Sequence, residues 1–357
     1  MPLKRVFTLK IGQAWLFLTI LSSVFWLPAC TPSTLPPVQQ TFYVFGTEVN
    51  VEIVDTPKAK ALTAITAIEQ RFHQFNRDWH AWEKGGILSQ INQAIANGKP
   101  IDVPETVKQF IVKSQQLAAQ SDYLFDPGIG QLIALWGFHS EDWQGPPPTE
   151  ADIQAWLNQR PSIKALYFKG TQLYSHNPKV QLDFGGNAKG LALDIAIQTL
   201  KKSGINNAIV NIGGDMRIIG TKAPQDAQSH GEQQAWHIGI QDPDQPQKPI
   251  AWMAVSGDES IVTSGSYQRF FEWQGQRYSH IINPNTGYPA QPFLSVTVIH
   301  SDATTADAAA TALMIAGPEK WQKIAQQMGI RLAVLIDPNR KIYFTPDMAS
   351  RLHLLEH

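Results

Sequence analysis

The sequence predicts an α+β fold, with mixed and antiparallel sheets and helices packed on them. Three observations carry that reading. Apolar residues alternate with polar ones in short segments, Val49, Val51 and Ile53 among them, as half-buried strands require. Elsewhere they recur at helical spacing, as in Ala61, Ile65, Ile68 and Phe72. The two kinds of segment are interspersed without regular strand–helix–strand alternation, and no internal repeat is present, which argues against a doubly wound parallel sheet.

The elements follow in order. Thr41 to Val54 reads as two strands around Phe45-Gly46-Thr47, and Lys58 to Phe72 as an amphipathic helix. Phe75 to Gly86 reads as a polar and aromatic loop, in which packing is the commoner fate of Trp79 and Trp82 and cover over a ligand ring the sharper one. Helices are predicted at Ile87 to Asn92, Val103 to Ser121 and Glu150 to Asn158, with Asp126 placed to cap a further helix after Pro127. Leu166 to Tyr174 and Lys179 to Phe184 read as a hairpin leading into Gly185-Gly186 and a helix from Ala188 to about Leu200. Asn207 to Gly220 reads as strand, turn and strand, followed by a polar, flexible insert from Thr221 to Gln234. Strands follow at Trp236 to Gln241, Met253 to Ser256 and Ser260 to Ser264, then a hairpin turning at Gln274-Gly275, a strand Leu294 to His300 and an Ala-rich helix Ala303 to Ile315. Helix, strand and strand close the chain from Pro318 to Phe344.

Composition narrows the function. With 357 residues, 43% hydrophobic and 17% charged, the chain can bury one large core or two small ones. A net charge of −1 implies no bulk attraction to nucleic acid. Cys30 is the one cysteine, which excludes an internal disulfide and any multi-cysteine zinc or iron–sulfur site. Its setting is informative: Lys4, Arg5 and Lys10 precede a largely apolar stretch, Ile11 to Leu27, and then Leu27-Pro28-Ala29-Cys30. This resembles a bacterial lipoprotein signal, in which cleavage leaves the cysteine first and lipid-modified; a plain anchor or ordinary secretory signal is the alternative. The expected organisation is a signal peptide over 1–29, a lipidated Cys30 with a Pro-rich tether over 30–41, and a catalytic domain over 42–350. The mature protein is then expected on a bacterial membrane, facing the periplasm, more readily the inner membrane than the outer.

Two stretches carry chemistry. In Asp183-Phe184-Gly185-Gly186-Asn187-Ala188-Lys189-Gly190 a Gly-Gly turn leads into a helix start, where unpaired N–H groups and a positive dipole end suit phosphate. Lys189 falls in that first turn, where a cation is disfavoured and needs another reason to be present. An ordinary strand-to-helix turn with a solvated lysine reads the same residues, and the order is wrong for a P-loop. In the second stretch, Asp307 and Thr311 lie four apart on one helix face among small residues, so both can give oxygens to a hard cation such as Mg²⁺. The alternative is that Asp302 or Thr305 caps the helix while Asp307 is exposed.

Taken with Phe125-Asp126-Pro127, Asn211-Ile212-Gly213-Gly214-Asp215, Thr263-Ser264-Gly265-Ser266-Tyr267 and His280-Ile281-Ile282-Asn283-Pro284-Asn285-Thr286-Gly287 in this order, the chain from about Phe42 to Phe344 resembles the FAD:protein FMN transferase family, ApbE. The resemblance implies an ApbE-like, T-fold-like architecture. It also implies Mg²⁺-dependent cleavage of FAD, taken as substrate, with FMN passing to a Thr or Ser hydroxyl of an exported target flavoprotein and AMP released. By motif match the Gly186 carbonyl, Asp307 and Thr311 hold the metal, and Lys189 meets the phosphates. Asp126 contacts FAD, Ser264 and His280 line the same site, and Phe75-Asn76 lies in a loop covering the flavin or adenine. Phe45 stands where the family commonly has Met against flavin, and Asn187 where it has a small or branched apolar residue. The proton of the incoming hydroxyl has two candidate acceptors, His280 and Asp307. Two other readings stay open: an FAD pyrophosphatase using water, and a lipoprotein that only holds flavin.

Overall fold

The computed structural model describes residues 35–140, 142–143, 145–222, 234–245 and 247–355. The predicted signal peptide, Cys30 and residues 223–233 of the predicted insert lie outside the described residues.

The centre is an eight-stranded, wholly antiparallel sheet in the order β1-β2-β6-β7-β10-β13-β14-β15. Strands β1 (Val38–Val44) and β2 (Thr47–Ile53) form the first hairpin, and its Phe45-Gly46 turn has positive φ at both residues, matching the right-handed strand twist. The other strands are β6 (Ala208–Ile212), β7 (Asp215–Gly220), β10 (Gly257–Gly265), β13 (Ser295–His300), β14 (Leu332–Ile336) and β15 (Ile342–Phe344). Register sets which ends meet. Val49 pairs with Ile212 and Ile261 with Met216, so the β1–β2 turn, the β6–β7 turn and the C-terminal end of β10 gather at one end of the sheet.

Helices bury one face. α1 (Lys58–Trp79) and α6 (Ala188–Lys202) cover β1, β2 and β6 with Ile65, Ile68, Phe72, Leu193 and Ile197. α7 (Ala303–Gln327) lies over β10 and β13. Its first part is rich in alanine, and Ala303, Ala306, Ala308, Ala309, Ala310 and Ala312 are fully buried, which allows a close approach to α6. Gly190 lies at that crossing, where a Cβ would collide with the main chain of Ala303 and Thr304. α7 breaks at Gly317-Pro318, where Gly317 has φ 71°, so the two helices expected before and after Ile315 are present. The opposite face, over β7, β10, β13 and β14, is closed by Trp236, Ile238, Met253 and Val255 of β8 (Trp236–Gln241) and β9 (Pro249–Val255).

Smaller elements complete the fold: α2 (Ile87–Ala96), α3 (Glu105–Gln120), α4 (Gly130–Leu135), α5 (Glu150–Gln159, with a Thr149–Asp152 capping box) and the hairpin β4 (Leu166–Lys169) and β5 (Gln172–Ser175), with the short strand β3 (Ile101–Asp102) paired to β5. β11 (Phe270–Trp273) and β12 (Gln276–Ser279) form the hairpin predicted to turn at Gln274-Gly275.

Several expectations are corrected. Residues 179–184 form no strand of a hairpin. This stretch is extended and buries Val180, Leu182 and Phe184, but Asn92 takes both the N–H and the C=O of Leu182, and Pro127 O takes the Asp183 N–H. Side chains and loops thus replace a partner strand. Phe75 and Asn76 belong to α1 and not to a loop, because Phe75 and Trp79 extend the helix stripe of Ile68 and Phe72. The predicted tether loses its last residues to β1, which begins at Val38, and the fold runs on past 350, since β16 (His353–Leu354) pairs with β9.

Candidate functional site

At the gathered sheet end lies a cleft of about 700 Å³. Its walls include all ten described residues singled out above: Phe45, Phe75, Asn76, Asp126, Gly186, Lys189, Ser264, His280, Asp307 and Thr311. They come from the β1–β2 turn, α1, the loop before α4, the turn into α6, the end of β10, the end of the β11–β12 hairpin and the middle of α7.

One wall is charged. The close crossing of α6 and α7 lets the Gly190 N–H donate to Asp307 Oδ2 at 2.9 Å. Asp307 is only 4% exposed; burial, reinforced by the nearby Asp215 charge and opposed by Lys189, pushes its carboxyl up to about 7. Thr311, one turn on, puts its Oγ1 beside Gly186, 3.3 Å from where a Cβ would sit there. A side chain at 186 would therefore press on both Thr311 and the Phe125 ring, 3.2 Å away, and the missing Cβ leaves the main chain accessible. A buried carboxylate, a hydroxyl and a glycine main chain are hard oxygen donors in the small number Mg²⁺ accepts from protein, so these residues could hold it. Among the described residues no group of three His, Cys, Asp or Glu side chains is placed to hold a metal ion, so a metal here would depend on the hydroxyl and main-chain oxygens as well as on Asp307.

Lys189 has the reason that its position demands. Its ammonium pairs with Asp215 Oδ2, and although burial opposes the charge, Asp215 and Asp307 outweigh it and hold the lysine above its ordinary range. Asp215 begins β7 and appeared only inside a sequence motif, without a role. Its partner on α6 is set by tertiary register, which no local pattern reports. Asp194 was missed in the same way. Its carboxylate accepts from the Ala303 and Thr304 N–H groups, each at 3.0 Å, and pairs with Arg217, so α6 caps the start of α7. Asp302 adds the ordinary cap by accepting from Thr305 N at 2.7 Å; Asp307, contrary to the bland reading, is buried.

His280 Nδ1 lies 2.9 Å from the Arg269 carbonyl. A carbonyl only accepts, so Nδ1 carries the proton and Nε2 keeps a lone pair. Burial, then the Arg269 and Lys189 charges, lower its pKa to about 4 despite that hydrogen bond, and the ring is neutral at pH 7.

Another part of the lining is aromatic. Phe45 packs on Phe72 and Phe75, Phe75 stacks on Trp79, and Trp79 meets Phe184 edge-on at 5.5 Å. Trp79 thus both packs and lines the cleft, and Trp82, which also lines it, donates its indole N–H to Asp183 Oδ2 at 3.1 Å. Asp126 lines the cleft but does not cap α4: its Oδ1 accepts from Gly128 N and Ile163 N, tying two loops together, and burial raises its pKa. Asn187 is fully buried. Its amide donates to Ser114 Oγ at 2.9 Å, and its Oδ1 has no partner.

Fold and site together define a class, α+β proteins whose sheet end carries a cleft with a charged wall and an aromatic wall. Residues 45–336 match the model of the ApbE family, and the chain belongs to that family. It is 38% identical over 326 residues to a FAD:protein FMN transferase of Rhodobacter capsulatus, covering 90% of this chain but 59% of that relative. It is 30% identical over 334 residues to a Vibrio cholerae protein of the same name, covering 92% of this chain and 96% of the relative. The crystal structure of an ApbE protein from Thermotoga maritima superposes with a TM-score of 0.78 at 29% identity, over 88% of this chain and 99% of that one.

Proposed function

We propose that this protein transfers FMN from FAD to a Thr or Ser hydroxyl of an exported flavoprotein, with AMP as the other product and Mg²⁺ as the metal. One observation carries the reading: Lys189, Gly186, Asp307, Thr311 and His280, the last with Nδ1 engaged by the Arg269 carbonyl, all line one cleft that Phe45, Phe75 and Trp79 also line. The family membership and the names of the relatives support it.

The chain's own groups divide the work. Phe45, Phe75 and Trp79 offer faces for a flat ring. Lys189 and the first turn of α6 meet phosphate charge. Gly186, Asp307 and Thr311 would hold Mg²⁺, which when bound supplies charge neutralisation on the pyrophosphate. His280, neutral and anchored through Nδ1, accepts the proton of the incoming hydroxyl at Nε2. The hydroxyl oxygen forms a bond to the flavin-side phosphorus, the bridging P–O bond breaks, and AMP leaves with the bridging oxygen. Membrane attachment through a lipid on Cys30, facing the periplasm, is proposed from the leader sequence alone.

The test is to incubate the purified protein with FAD and Mg²⁺, with and without an apo flavoprotein domain bearing an acceptor threonine, following AMP and the mass of the domain. One FMN gained per AMP released is the expected result. AMP and free FMN regardless of the domain would make the protein a pyrophosphatase, and bound flavin without AMP would make it a flavin carrier.

A further inference from the structure

A phosphate site gains affinity from positive charge, and a carboxylate beside its lysine works against that. Asp215 is such a carboxylate. Its side chain is 2% exposed and it does not line the cleft, whereas Lys189 lines it and is one-third exposed. Oδ1 of Asp215 accepts from the Thr263 N–H of β10 at 3.0 Å, which locks the carboxyl in place, and Oδ2 then takes the Lys189 ammonium. Lysine is a point charge on a flexible four-carbon stem, and this one sits where the helix dipole repels it. Two residues along β7, Arg217 pairs with Asp194, which caps α7. The start of β7 therefore grips α6 at Lys189 and Asp194.

The geometry points to Asp215 as the positioning residue for Lys189: it holds the ammonium at a fixed point of the cleft and never touches the dinucleotide. What Lys189 meets there rests on the FMN-transfer reading; the pair itself does not. Fixed placement of charge favours the transition state over mere binding. Because the carboxylate opposes phosphate affinity, its loss should lower turnover without weakening FAD binding. A general structural role would weaken both.

The experiment compares wild type with Asp215→Asn and Asp215→Glu at matched thermal stability. It measures AMP release, FAD affinity by flavin fluorescence, and the rate at which acetic anhydride labels Lys189 relative to the exposed Lys99. For Asp215→Asn, kcat should fall roughly 10- to 100-fold, the FAD Kd should stay or tighten, and Lys189 should label several-fold faster. Asp215→Glu, which keeps the charge but displaces the ammonium by a methylene, should also lose turnover; if the Asn variant does not fold, this one carries the test. Wild-type turnover in either variant, unchanged Lys189 labelling in Asp215→Asn, or loss of FAD affinity in step with kcat would overturn the assignment. If the wild-type protein releases no AMP, the transfer reading falls, and labelling alone decides: faster in Asp215→Asn supports the pair, equal overturns it.

Discussion

The two walls of the cleft are built on different physics. The aromatic wall of Phe45, Phe75, Trp79 and Phe184 is an extension of the core, with ring centroids 5.3–5.9 Å apart along Phe72, Phe45, Phe75 and Trp79, and its energy is area buried. On and behind the charged wall, Asp307 and Asp215 are almost without exposure; each accepts a main-chain N–H, and Lys189 pairs with Asp215 while its charge partly opposes the burial that raises the Asp307 pKa. Area is tolerant of shape, whereas a buried charge depends on its partners to within a fraction of an ångström. Substitutions on the charged wall should therefore cost far more activity than those on the aromatic one.

The largest effect should come from Asp307→Ala: AMP release falls about a thousandfold or more, while the circular dichroism spectrum stays that of the wild type. Retained turnover would remove Asp307 from the metal set. Next is His280→Ala, for which loss of the proton acceptor should cost on the order of a hundred- to a thousandfold.

The pH profile separates the two candidate bases. His280 works in its neutral form, so its contribution is present above about pH 4 and disappears on acidification through that value. Asp307 binds metal as the anion, so its contribution is lost as pH falls through about 7 and is restored by more Mg²⁺. An acid limb that moves to lower pH as Mg²⁺ is raised reports Asp307. One near pH 4 that ignores Mg²⁺ reports His280.

On the aromatic wall, Phe45→Met should change the KM for FAD by about threefold or less, since an apolar side chain of similar reach replaces the ring. A loss of turnover as large as that of Asp307→Ala would break the contrast between the walls. The smallest effect is on stability and lies just behind the Gly-Gly turn. The orphaned Oδ1 of Asn187 carries an unpaid desolvation cost of about 1–3 kcal/mol, so Asn187→Leu with Ser114→Ala should raise the melting temperature by a few degrees at most. A fall would mean that the buried amide pair is stabilising as it stands.

Much was legible in order along the chain, and the misses share a cause. The strands of the large sheet, α1, α6 and the two parts of α7 follow from apolar periodicity, because each element's buried stripe is written in its own residues. The ordered motifs named the residues of the cleft, and the misfit of Lys189 at a helix start announced that a partner existed. Only the tertiary structure decided who that partner is. Asp215 reaches Lys189 because β7 and β10 pair in one register and α6 packs on β6 and β7. For the same reason Asp126 ties loops together where a cap was expected, the extended stretch before Gly185 pairs with Asn92 and Pro127 in place of a strand, and His280 presents Nε2 because Arg269 O takes Nδ1. Burial of apolar surface is non-directional and leaves a local signature in the sequence. Hydrogen bonds and ion pairs are directional and join residues distant in the chain, so their partners exist only once the fold does.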